Sequence, residues 1–250
     1  MAKILLPLPD RDFDVTEVAV PWHVATRAGH DVVFSTARGE RAAADPLLLT
    51  GVLFGQLGAE PEAKELYGRM ITTPAFERPV AFDDVDPADY GALVLPGGHA
   101  KGMRPYLEST TLFDRVRAIW TSGKPVAAIC HGTIVLARTL DPATGHSVLF
   151  GKKTTCLPKY LERLAYFLTA WKLGGYYRTY PAYVEEEVCA ALAAVGDFER
   201  GPLTLGARGT ERDDGPAFVV EDGAYLSARW PGDAYLFARR LVEKLAACPD

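Results

Sequence analysis

Little in this chain would hold it together from outside its own core or tie it to a surface. Four cysteines, Cys130, Cys156, Cys189 and Cys248, are scattered through 250 residues. None makes a CxxC pair or shows zinc-like spacing, so neither a disulfide framework nor a structural metal is indicated. No run of Lys and Arg interrupts a net charge of −5, which disfavours nucleic acid as a partner. No apolar stretch approaches the ~20 residues that cross a bilayer. The opening MAKILLPLPDRDF has an apolar run broken by prolines, too short for a secretory h-region. Free thiols without such a segment lead us to expect a soluble, cytoplasmic protein without a membrane partner. Repeats, low-complexity linkers and a clean domain break are also missing. The expectation is one domain over residues 1–250, with RAAADPLLLTGVLFGQLGAEPE, at about 40–62, as an insertion covering a sheet.

What the chain has is apolar content, 48% of its residues, enough at this length for a real core. Short apolar runs alternate with amphipathic segments, the pattern of an α/β protein with a doubly wound, flavodoxin-like parallel sheet and helices on both faces. Ile4 to Leu8, HDVVFST, YGALVLPGG and Pro125 to Ile129 read as strands. Segments around Thr16 to Ala28, Lys159 to Trp171, Val184 to Ala194 and Asp233 to Ala247 read as helices, the first stopped by Gly29. GKKTTC is read as one further strand, and AFVVEDGAYLSAR as a hairpin turning at Asp222-Gly223.

Cys130 falls where the run from Pro125 to Ile129 meets a helical pattern beginning at Gly132. A lone cysteine is most simply a small buried hydrophobe. At this joint it is also placed as a nucleophile. The strand's carboxyl end is where open α/β sheets bind ligands, and a helix N-terminus favours a thiolate, lowering a catalytic cysteine from ~8.5 to roughly 3.5–7.5. The small residues of Ala128-Ile129-Cys130-His131-Gly132 suit a sharp nucleophile elbow. His131 is either a structural histidine or a participant, because adjacent helical side chains diverge by about 100°.

AAICHG, preceded by DYGALVLPGGHA, resembles the ThiJ/PfpI superfamily, which shares the class I glutamine amidotransferase-like fold. The remaining features resemble its longer glyoxalase III and holding-chaperone branch. The likeness runs from Ile4 to Leu245, more loosely over the insertion and residues 165 to 215. It implies Cys130 as the nucleophile, His131 as the histidine that follows it, and Glu17, in DVTEVAVPWHVATRAG, as the glutamate beside the sulfur. A carboxyl group there would share a proton with the thiol and be often protonated; without the resemblance, Glu17 is a solvated first-turn glutamate. Followed from Gly145, the likeness puts Glu162 where one subgroup has a triad glutamate; it also reads as an exposed helix residue. Other members use an aspartate where this chain has Lys159. Gly97 and Gly98, with the His131 N–H, suit an oxyanion hole. His99 is a substrate contact or a plain loop histidine. Thr133 stands where the branch commonly has proline, and Trp230 and Asp233 interrupt its late Asn-Pro-x-Ser pattern.

The resemblance implies a cofactor-independent, metal-free thiol enzyme that turns a 2-oxoaldehyde into a 2-hydroxy acid, acting on a small carbonyl substrate as a homodimer. The alternatives are a thiol hydrolase or hydratase with a specialised substrate, and a stress chaperone or redox sensor. A glutamine amidotransferase is disfavoured, because no His-x-Glu pair follows His131. The aromatic stretch YLERLAYFLTAWKLGGYYRTYPAY reads as core, as a pocket lining or as a dimer contact.

Overall fold

Each of the four residues of the strand Val126–Ile129 is buried, as an apolar run needs to be when helices cover both faces of a sheet. The computed structural model describes residues 1–52 and 57–247; Cys248 and part of the expected insertion, residues 53–56, lie outside the described residues. Val126–Ile129 belongs to a seven-stranded sheet. Its order is Val80–Ala81, Asp31–Thr36, Lys3–Pro7, Ala92–Leu95, Val126–Ile129, Tyr225–Ala228 and Val219–Asp222. Every neighbouring pair is parallel except the last. Val15–Arg27, Pro61–Met70 and Ala234–Ala247 pack as one helical layer, while Arg104–Leu107, Thr110–Thr121 and Gly132–Arg138 pack as the other. This is the expected flavodoxin-like architecture.

From Lys3–Pro7 the chain first moves outward to Asp31–Thr36, then returns to Ala92–Leu95 on the other side. That reversal opens a crevice at the carboxyl ends of the two strands, where doubly wound sheets bind ligands. The helix Val15–Arg27 starts there because the Asp14 carboxylate accepts hydrogen bonds from the Thr16 and Glu17 amides, satisfying two orphan donors of its first turn. It ends at Gly29, with φ +84°.

Two expectations change. GKKTTC is not a strand: Thr154 makes one isolated bridge to Phe198. The Lys153 amide donates to the Asp222 side chain and the Thr155 amide to the Ser227 hydroxyl, so side chains take the donors a ladder would need. The hairpin loop is Gly223-Ala224, one residue later than expected, with Gly223 at φ +61°. The described part of the insertion forms a strand, Ala43–Ala44, that pairs with Arg11–Phe13 outside the main sheet, followed by the helix Pro46–Thr50.

Asp233, a departure from the branch pattern, is structural. Its carboxylate is fully buried against the Arg229 guanidinium and also accepts from the Phe218 and Arg229 amides. Arg229 donates further to the carbonyls of Pro202 and Pro216. Removing one partner leaves the other as an uncompensated buried charge. Asp233→Ala is therefore expected to lower unfolding stability by about 3–5 kcal/mol, measurable by urea denaturation; a loss below 1 kcal/mol would contradict this role.

Candidate active site

The chain turns sharply at Cys130. Its amide still donates to Ala228 O at 3.1 Å, continuing the sheet, yet its φ is +57°. A non-glycine residue rarely occupies this left-handed region, and such strain collects at functional sites. The turn presses the Gly132–Arg138 helix onto the neighbouring strand. A Cβ on Gly132 would lie 2.0 Å from Leu95 O, and one on Gly97 would lie 2.6 Å from the His131 N. Glycine is required at both positions for the two loops to touch. The sequence-expected elbow is present, and its sulfur is almost entirely buried.

His131 lies with its Nδ1 3.6 Å from Cys130 Sγ and its Nε2 3.2 Å from the Thr179 hydroxyl. That hydroxyl donates its one proton to the His99 carbonyl at 2.5 Å. Toward His131 it can only accept, so Nε2 carries the imidazole proton and Nδ1 presents a lone pair to the thiol. Burial lowers the basicity of His131, with His99 and Arg178 adding to the shift, so the ring is neutral at rest. Thr179 is itself buried, and Arg104 Nε fixes its carbonyl at 2.7 Å. Sequence reasoning missed Thr179. It follows Cys130 by 49 residues in an irregular aromatic loop, and only its place as a small polar residue among tyrosines marks it.

Glu17 reaches the same sulfur from the first turn of Val15–Arg27. Its Oε2 accepts the Gly97 amide at 2.7 Å, while its Oε1 is buried with no hydrogen-bond partner, close enough to the Cys130 thiol for the two groups to influence each other's protonation. Burial raises Glu17 well above the ordinary carboxylate range, and the nearby Asp14 raises it further, both favouring its acid form. The expected lowering of the Cys130 thiol does not hold. Burial pushes it up, the neighbouring Glu17 and Asp14 carboxyl groups push the same way, and the His131 amide is a weaker opposing influence. A helix of seven residues cannot offset that desolvation. Burial thus pushes the thiol, the Glu17 carboxyl and both imidazoles toward their neutral forms, His99 being lowered to about 4.

The glycine pair is divided. Gly97 gives its amide to Glu17 and is not a free oxyanion donor. Among the described residues no protein acceptor takes the Gly98 amide, and Gly98 lines the adjoining cavity. Glu162 is not joined to His131 either. It is buried, accepts the Val184 amide at 3.0 Å, and faces Arg178 Nη1 at 3.4 Å. Thr179 occupies the position the triad carboxylate was expected to fill. His99, Nε2 3.9 Å from the sulfur, is part of the cluster rather than a remote loop residue.

His99, Cys130 and His131 offer three ligand atoms within 4.8 Å of one another. Sulfur–nitrogen separations of 3.6 and 3.9 Å are close to the edge of a tetrahedral zinc site, about 3.6 Å from Zn–S ~2.3 and Zn–N ~2.05 Å. These residues could hold a thiophilic ion.

Burial raises Glu162 from 4.5 to about 7, against the lowering effects of the Val184 amide and Arg178. A carboxyl whose folded pKa exceeds its unfolded value binds a proton more tightly in the native state. Its contribution is therefore full below about 4.5 and is lost as pH rises through 7. Comparing thermal melts from pH 5 to 8, wild type is expected to lose stability relative to Glu162→Gln by on the order of 3 kcal/mol. A difference constant with pH would contradict this assignment.

Known proteins resemble the chain along most of its length. An uncharacterised protein of Schizosaccharomyces pombe is 32% identical over 250 residues, spanning 98% of this chain and 84% of its own. Deglycase PfpI of Pyrococcus furiosus is 25% identical over 243 residues, 97% of this chain and 99% of its own. The crystal structure of glyoxalase III from Candida albicans superposes with a TM-score of 0.69 at 21% identity, covering 97% of this chain and 96% of its own; at that identity the likeness is one of fold. No helix among the described residues is long and apolar enough to cross a membrane. A family model described as ThiJ/PfpI family-like matches residues 8–202, and the chain belongs to that family.

Proposed function

We propose that this protein is a cysteine-dependent enzyme acting on reactive carbonyl compounds, converting a 2-oxoaldehyde to a 2-hydroxy acid. The observation that carries the reading is the unprotonated Nδ1 of His131 facing the Cys130 thiol, held in that tautomer by Thr179. The names of two similar proteins, a deglycase and a glyoxalase III, lend it support.

The steps follow from the resting protonation states. His131 Nδ1 takes the thiol proton as sulfur adds to the aldehyde carbon, forming a C–S bond and an oxyanion. The Gly98 amide donates to that oxygen, and the Glu17 carboxylic acid supplies the proton that makes it a hemithioacetal hydroxyl. Glu17, now a carboxylate, removes the proton from the former aldehyde carbon and returns it to the adjacent carbon, while the hydroxyl proton passes from the former aldehyde oxygen to the neighbouring oxygen, so that the first becomes a carbonyl and the second a hydroxyl. The product is the thioester of a 2-hydroxy acid. Water gives a proton to the Glu17 carboxylate as its oxygen adds to the thioester carbonyl, the C–S bond breaks, and the leaving sulfur takes back the proton held by His131, which restores the thiol, the neutral imidazole and the Glu17 acid. Burial supports these roles, since it favours the acid form of Glu17 and the unprotonated ring of His131.

Lactate formation from methylglyoxal without glutathione tests the reading. Turnover is expected in wild type and absent in Cys130→Ala, and Glu17→Gln is expected to lower kcat by about 10²–10⁴. A fully active Cys130→Ala would end the proposal. Thr179→Val removes the acceptor that fixes the His131 tautomer, and a loss of about tenfold or more in kcat is expected. Thr179→Ser should restore activity, because it retains the hydroxyl. Equal losses in the two Thr179 variants would point to packing instead.

A further inference from the structure

The cavity beside the nucleophile is mismatched to a three-carbon substrate. About 430 Å³ in volume, it reaches Gly98 and also Glu17 and His99, which flank Cys130. Its size lies within the ~300–1,000 Å³ of pockets that bury drug-sized ligands. One wall is a stripe of the Lys159–Leu173 helix, made by Leu161, Leu164, Ala165 and Leu168, the i, i+3, i+4, i+7 pattern of a single helical face. From Leu161 to Leu168 that stripe runs about 10 Å along the helix axis. Leu161 is buried at the inner end, and Leu168 is 44% exposed at the outer end. The apolar surface continues outward over Phe167 and Trp171, 63% and 73% exposed. Arg208, the cation on the described lining, is paired with Glu60 at 3.5 Å and stacked over Trp230. It makes no call for an anionic tail.

We infer that the site takes a carbonyl compound bearing an extended, uncharged alkyl chain, with the reactive carbon at Cys130 and the chain laid along Leu161, Leu164 and Leu168. The inference rests on the reactive-carbonyl reading above and names its substrate class. Methylglyoxal would leave most of this leucine wall against water. Each methylene moved from water onto such a wall raises kcat/KM by about fourfold.

The experiment compares kcat/KM for methylglyoxal and 2-oxooctanal in wild type, Leu168→Gln and Leu164→Gln. Both leucines are partly exposed, so a polar side chain is tolerated, and each variant's thermal melt and sedimentation are recorded. Calorimetric binding of 2-octanone to Cys130→Ala gives a second readout that needs no turnover. We expect 2-oxooctanal to be preferred by at least about 100-fold, with the preference falling by about fourfold or more in either leucine variant. No turnover of either aldehyde, with 2-octanone still bound by Cys130→Ala and weakened by Leu168→Gln, would remove the 2-oxoaldehyde reaction and uphold the apolar-chain pocket. Equal kcat/KM for the two aldehydes in wild type would overturn the inference. A preference unmoved by both leucine variants, with sedimentation shifting from dimer to monomer, would also overturn it and make this helix face a contact between two copies.

Discussion

The site depends on one close approach: two loops leaving adjacent parallel strands touch backbone to backbone. Residues after Ala92–Leu95 and after Val126–Ile129 meet so tightly that a methyl group on Gly132 would reach 2.0 Å from the Leu95 oxygen. That contact fixes where the Cys130 turn can point. It also brings the Gly97 amide to Glu17, and so a helix from the start of the chain to a sulfur in its middle. The left-handed φ of Cys130 is held by this packing from one side and by the Ala228 carbonyl from the other. A strained residue persists only where its surroundings over-determine it.

Burial then decides the electrostatics. With the sulfur, Glu17 and His131 all withdrawn from water, each group is pushed toward its neutral form. The usual picture of a cysteine activated by an adjacent helix fails here because desolvation outweighs the field of a seven-residue helix. A nucleophile kept as a thiol is protected from adventitious oxidants, since the thiolate is the oxidisable form. In the proposed reaction it becomes nucleophilic only as the sulfur adds to a bound carbonyl carbon and its proton passes to His131 Nδ1.

The sheet and the elbow were legible in the sequence because both rest on local signals. Apolar runs such as VAAI announce strands buried on two faces, and small residues around Cys130 announce a sharp turn. Glu17 was legible through resemblance alone, since nothing in its own segment says that an acidic first-turn residue will be buried. Glu162 shows the converse. It is buried as a catalytic carboxylate would be, but its oxygens serve Arg178 and the Val184 amide. That service could not be foreseen, because Arg178 reaches it from the far side of an irregular loop. Thr179 was invisible for the same reason. The strand expected at GKKTTC failed because periodicity cannot say whether side chains or a neighbouring strand will take the amides.

Thr179 in place of a carboxylate changes what the histidine can do. An acidic partner would both orient the ring and stabilise its imidazolium, making His131 a stronger base. A hydroxyl that spends its proton on the His99 carbonyl orients the ring equally well and adds no negative charge. The imidazolium formed when the thiol is deprotonated is then a short-lived, high-energy partner that readily gives its proton back. Such a base suits a reaction whose steps hand one proton among neighbouring atoms with no net charge entering or leaving. It suits less well a hydrolase that must hold a proton for an amine leaving group. The neutral orienting group, the burial that favours the acid form of Glu17 and the uncharged leucine wall therefore agree with the proposed reaction, a neutral substrate worked on by internal proton transfer.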